Sequence, residues 1–80
     1  MKIFIGKLNF DTTNEDLREV FESFGEVESA VVMIDPVFGK SKGYGFVDMP
    51  YDEEAQSAID QLNETELDGS IIVVKKSMPG

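Results

Sequence analysis

Hydrophobic and polar positions repeat with two different periods along this chain, and the switches between them mark six segments. From Lys2 to Leu8 the period is two, with Ile3 and Ile5 on one face and Lys2, Phe4 and Gly6 on the other, which predicts a strand. Asn9–Thr13 is a connection. Thr13-x-x-Asp16, overlapped by Thr12-x-x-Glu15, resembles a capping box, and acidic residues in a first turn suit the helix dipole. Leu17, Val20, Phe21 and Phe24 then recur at three- and four-residue spacing, an apolar helical stripe that stops at Gly25. Val27–Ile34 reads as a second strand, with Ala30, Val32 and Ile34 alternating against Ser29, Val31 and Met33. Asp35–Lys40 holds Pro36 and Gly39 and is a loop.

Lys42–Met49 is the third strand, broken by Pro50 and Tyr51. Asp52 is placed to cap a helix whose stripe is Ala55, Ala58, Ile59 and Leu62. Asn63–Ser70 is a polar connection with a turn signal at Asp68-Gly69. Ile71–Lys76 is the last strand, with Ile72 and Val74 opposed to Val73 and Lys75. The order βαββαβ is two strand–helix–strand halves. It predicts an α+β, ferredoxin-like sandwich: a four-stranded antiparallel sheet with two helices packed on one face. No linker, low-complexity segment or tandem repeat divides the chain, so residues 1–80 are expected to be a single domain. A chain this short buries only about 60% of its unfolded surface.

The third strand is unusual. Val47 and Met49 share an ordinary core face, but Lys42, Tyr44, Phe46 and Asp48 share the other. Two large aromatics flanked by charges of both signs make a poor core face. A flat ligand lying on that face explains them better.

Composition narrows the options. There is no cysteine and no histidine, which excludes disulfides, His/Cys metal sites and the His- or Cys-dependent forms of nucleophilic catalysis. No cofactor or metal is expected. The apolar runs are too short to span a bilayer and no signal peptide is evident, so the expected home is cytoplasmic, or nuclear in a eukaryote, with no membrane partner. Seven basic against sixteen acidic residues give a net charge of −9, which by itself argues against a polyanionic partner. The distribution argues otherwise. Lys2, Lys7, Lys40, Lys42, Lys75 and Lys76 lie in or beside strand-like segments, whereas the helical segments are acidic and hold only Arg18. Helices on one face of a sheet would give an acidic back and a locally basic front.

Lys42–Met49 resembles the octamer of the RNA recognition motif, or RRM, family. Lys42 to Val47 match every specified position, Asp48 takes the free one, and only Met49 departs, on the core face. Ile3-Phe4-Ile5-Gly6-Lys7-Leu8 is similar to the family's hexamer. The resemblance runs from end to end. It implies that the two motif strands are neighbours at the centre of the sheet and that Phe4, Tyr44 and Phe46 form one exposed platform. It further implies that Phe4 and Phe46 each stack a base, that Tyr44 packs against sugar or a neighbouring base, and that Lys42 reaches a phosphate. Single-stranded RNA is the implied partner, with single-stranded DNA as a variant. Lys2, Ser29, Met33, Lys75, Ser77 and backbone groups near the C-terminus are the candidates to surround the bases and select among them.

A second reading stays open. Val31, Met33 and Val73 fall on the same face, and an apolar sheet can serve a protein partner or weak self-association. Phe38 either adds a stacking surface at the edge or packs back on its own loop, the blander option. Phe10 and Tyr51, at joins between strand and helix, are expected to pack. Asp48 either accepts from base donors or repels phosphate. Enzymatic readings fail on spacing. Gly39-Lys40-Ser41 lacks the upstream glycine of a phosphate-binding loop, and Gly43-x-Gly45 lacks the third glycine of a dinucleotide site. Glu53 and Glu54 are adjacent on a helix and do not face each other, a poor acid/base pair. The chain is expected not to be an enzyme.

Overall fold

In a computed structural model, which describes residues 1–77, the chain runs β1 (Lys2–Gly6), α1 (Asn14–Glu22), β2 (Ser29–Ile34), β3 (Ser41–Asp48), α2 (Asp52–Leu62), β4 (Glu66–Leu67), β5 (Ser70–Ile71) and β6 (Val73–Lys76). Four strands form one antiparallel sheet in the order β2-β3-β1-β6. The two strands that carry the sequence motifs, β1 and β3, are therefore central and adjacent.

Both helices cover the same face. Ile3, Ile5, Val32, Val47 and Val74 of the sheet, with Met49 and Ile72 beside it, pack against Leu17, Phe21, Ala55, Ala58 and Ile59. Each large apolar side chain buried this way contributes about 1.5–3 kcal/mol. Helix α1 starts where its capping box predicts: the Asp16 amide donates to Thr13 Oγ1 at 3.1 Å, and the Thr13 amide donates to Asp16 Oδ2 at 3.1 Å. Arg18 then ties the helix to the approach to β2, donating to the carbonyls of Val27 at 3.0 Å and Glu28 at 3.3 Å.

Several local expectations need correction. Tyr51, not Asp52, occupies the N-cap of α2, and its side chain makes no capping bond. Asp52, Glu53 and Glu54 lie inside the first turn, where the dipole still favours carboxylates. The last strand divides at Ile72, whose amide donates to Thr65 O at 2.9 Å and whose carbonyl accepts from the Glu64 amide at 2.8 Å. Those bonds turn the backbone away from β1. Ser70–Ile71 pairs instead with Glu66–Leu67 as a small hairpin through Asp68 and Gly69. Ile34, which alternates with the buried Val32, is 48% exposed. Val32 pairs with Gly45 and Ile34 with Ser41, so Lys42, Gly43 and Tyr44 stand opposite Met33 alone. That bulge ends the regular alternation on both strands.

Both outer strands are closed by an asparagine from a helix end. The Val32 amide on β2 donates to Asn14 Oδ1 at 2.7 Å, and the Val74 amide on β6 donates to Asn63 Oδ1 at 2.9 Å. Outward N–H groups of edge strands otherwise invite pairing with another chain.

Candidate nucleic-acid interface

The face of the sheet away from the helices has no layer over it among the described residues. Antiparallel register sets its layout. Val31, Phe46, Phe4 and Lys75 lie across the four strands as successive Cα partners. Below them, Ser29, Asp48 and Lys2 form a second row, and the Ser77 amide donates to Lys2 O at 2.9 Å at its end.

Three rings meet on this face. Phe4 and Phe46 have centroids 5.8 Å apart at 66°, Phe4 and Tyr44 5.9 Å at 29°, and Tyr44 and Phe46 6.1 Å at 89°. These separations are favourable aromatic contacts, so each ring fixes its neighbours while keeping a face to solvent. Gly6 has a part that alternation did not reveal. A Cβ at this position would stand 2.9 Å from Phe4 Cε2, so the Phe4 ring lies down over β1. Gly45, on the core side, sits where a Cβ would meet Val31 O at 2.5 Å, and its lack of a side chain lets β2 close against β3.

Two lysines bracket the rings. Lys2 Nζ is 4.8 Å from the Phe46 centroid and Lys75 Nζ is 5.4 Å from the Phe4 centroid, both within cation–π range. Among the described residues the ion pairs are the N-terminal ammonium with Asp52 and Arg18 with Glu22. The six lysines therefore hold no carboxylate partner there, and their charge is available to an anion. The Ser29 hydroxyl is engaged, donating to Asp48 Oδ2 at 3.1 Å, which gives that carboxylate a partner within the sheet. Met33 is half-buried opposite the bulge, and Ser77 is half-buried beside Lys2. The backbone beyond Ser77, part of the expected C-terminal contribution, lies outside the described residues.

Lys42 stands apart. It is exposed, but Gly43 between it and Tyr44 has φ of +83°, so simple alternation does not carry its side chain onto the platform. Phe10 and Tyr51, expected to pack, are instead 73% and 58% exposed, and Phe38 is 75% exposed rather than folded onto its loop. No group of His, Cys, Asp and Glu suited to a metal occurs among the described residues, and no helix there is long and apolar enough to cross a membrane.

Residues 3–73 match the family model of the RNA recognition motif. Over 80 residues the chain is 41% identical to nuclear polyadenylated RNA-binding protein 4 of Saccharomyces cerevisiae, covering 98% of the chain and 14% of that protein. It spans between 14% and 29% of the length of the curated relatives it matches. Among solved structures it is similar to the RNA-binding protein PG1, with a TM-score of 0.95 and 36% identity over 100% of this chain and 96% of that one. It is also similar to the Rna15 RRM with bound RNA (GU), with a TM-score of 0.86 and 28% identity over 98% and 83% of the two chains.

Proposed function

The chain belongs to the RNA recognition motif family, and from that membership we propose that it binds a short single-stranded RNA on the open face of its sheet. The observation that carries this reading is the triad of Phe4, Tyr44 and Phe46, mutually in contact and uncovered by any described layer. The bound RNA in the similar Rna15 RRM supports it.

Stacking on such rings contributes roughly 1–3 kcal/mol per base and accepts any base, so three rings supply about 3–9 kcal/mol gross. Before RNA arrives, Lys2 and Lys75 lie against Phe46 and Phe4. An exposed cation–π contact is worth only about 0.5–1 kcal/mol, so an incoming base displaces the ammonium groups. The released lysines then reach the phosphates on either side. Ser29, Met33, Ser77 and the Ser29-bound Asp48 border the rings and supply base choice, and Lys42 adds charge from the bulge. Single-stranded DNA stacks on the same rings but offers no 2′-hydroxyl. The chain acts by binding, without catalysis of its own, as one domain in a reducing compartment such as cytoplasm or nucleus.

The half-exposed Val31 beside Phe46 favours a second reading, a protein or a second copy seated on the same sheet. Titration with a randomised oligonucleotide pool, followed by amide shifts, separates the two. RNA binding moves Phe4, Tyr44, Phe46 and their neighbours. Unchanged sheet amides, with shifts that instead depend on protein concentration, contradict the proposal.

A further inference from the structure

Of the large apolar residues left exposed, Phe10 and Ile34 share one surface away from the platform. Phe10, Thr12, Thr13, Val32, Ile34 and Lys40 line an open groove between the β1–α1 connection, the start of α1 and the β2–β3 hairpin. This groove lies on the helix side of the sheet. Val32, which lines it, is a core residue, while its neighbour Val31 is the one paired beside Phe46. The tip of the same hairpin carries Val37 and Phe38, both largely exposed. An apolar surface of this kind is expensive to leave in water and commonly marks an interface.

Charge points to the kind of partner. Asp11 and Glu15 stand exposed on the rim, and Asp16, Glu19 and Asp68 border the neighbouring hollow along α1. None of these carboxylates holds a basic partner among the described residues, because the single helical cation, Arg18, is spent on Glu22 and on the Val27 and Glu28 carbonyls. The acidic surface runs directly off an apolar floor and faces away from Lys2 and Lys75, with Lys40 the one basic residue among those lining the groove.

We propose that this groove docks a basic segment of a partner protein, seating one bulky apolar side chain between Phe10 and Ile34 while adjoining Lys or Arg side chains meet Asp11 and Glu15. The carboxylates steer the segment in and reject acidic ones, and the apolar contact holds it. Because groove and platform lie on opposite sides of the sheet, the chain joins an RNA and a basic protein segment at once. This inference goes beyond the RNA reading and does not depend on it.

The test uses the full chain and an array of capped peptides in which a central Phe, Trp or Leu is flanked by Lys or Arg at varied spacing, with Asp- or Glu-flanked peptides as controls. Basic-flanked peptides are expected to bind, moving the amides of Phe10–Glu15, Ile34 and Lys40 and leaving Phe4 and Phe46 in place. The charge-reversed variant Asp11→Lys/Glu15→Lys, both positions being exposed, should stay folded with a slightly lower melting temperature, because Glu15 lies in the first turn of α1, and should weaken that binding by about tenfold or more. Ile34→Ser should weaken it without changing oligonucleotide affinity. Absence of binding across the array, equal binding of acidic-flanked peptides, or shifts confined to the sheet overturns the proposal. So do concentration-dependent shifts at these residues without peptide, which would make a second copy the occupant.

Discussion

Phe4 and Phe46 are direct partners across the two central strands, and their ring centroids stand 5.8 Å apart at 66°. The pairing places one aromatic from each motif on a single surface, with Tyr44 closing the third corner. Either ring supports the other, so a single substitution disturbs both stacking positions. Phe4→Ala or Phe46→Ala alone should weaken oligonucleotide binding by about 1–3 kcal/mol. Because the rings touch, the two losses should not add. A double-mutant cycle by fluorescence anisotropy checks the coupling, and strict additivity contradicts it.

Gly6 and Gly45 separate platform geometry from fold stability. Gly6→Ala puts a methyl 2.9 Å from Phe4 Cε2, whereas Gly45→Ala drives one to 2.5 Å from the Val31 carbonyl. A half-exposed ring can tilt away, but a strand backbone in register cannot. Gly6→Ala is expected to weaken RNA binding with little change in melting temperature. Gly45→Ala is expected to lose about 1–3 kcal/mol of stability by crowding. Calorimetry beside binding isotherms reads both, and the reverse pattern refutes the assignment.

The salt dependence of binding should be shallow. With Lys2 and Lys75 flanking the rings and few other cations on the sheet, two to four phosphate contacts at about −0.7 log units each are expected. Lys2→Ala and Lys75→Ala should each reduce the slope by about 0.7. A wild-type slope steeper than about −5 would mean that backbone charge, not stacking, dominates.

Asn14 and Asn63 are expected to guard the two sheet edges. Asn14→Leu and Asn63→Leu each leave a strand amide, Val32 or Val74, without its acceptor, at a cost of about 1–3 kcal/mol. The freed edges should also show concentration-dependent association in analytical ultracentrifugation, sharper in the double variant. Variants that stay monomeric at high concentration and melt like wild type show the asparagines to be incidental.

Much of this was legible in the residues themselves. Period-two and period-3.6 stretches placed both helices and the four sheet strands, and the octamer and hexamer together marked Phe4, Tyr44 and Phe46. What stayed hidden depends on distant backbone geometry. The bulge opposite Met33 exposes Ile34 and displaces Lys42 from simple alternation, and no local pattern around either residue announces it. Ile72 looks like mid-strand sequence, yet hydrogen bonds to Thr65 and Glu64 turn it out of the sheet. Phe10 reads as a packing residue because it is aromatic and sits at a join, but Leu8 and Leu17 on either side of it enter the core and Phe10 stays exposed. Asn14 and Asn63 look like ordinary helix-end residues, and their roles on β2 and β6 follow only from the strand order.

The most direct test of the central claim is the double variant Phe4→Ala/Phe46→Ala, titrated with single-stranded RNA while its amide spectrum is recorded. Both side chains lie on the uncovered face, so the spectrum should remain that of a folded protein. RNA binding should fall by more than either single loss of about 1–3 kcal/mol and by less than the sum of the two. A folded double variant that binds RNA as the wild type does would contradict the platform as the site.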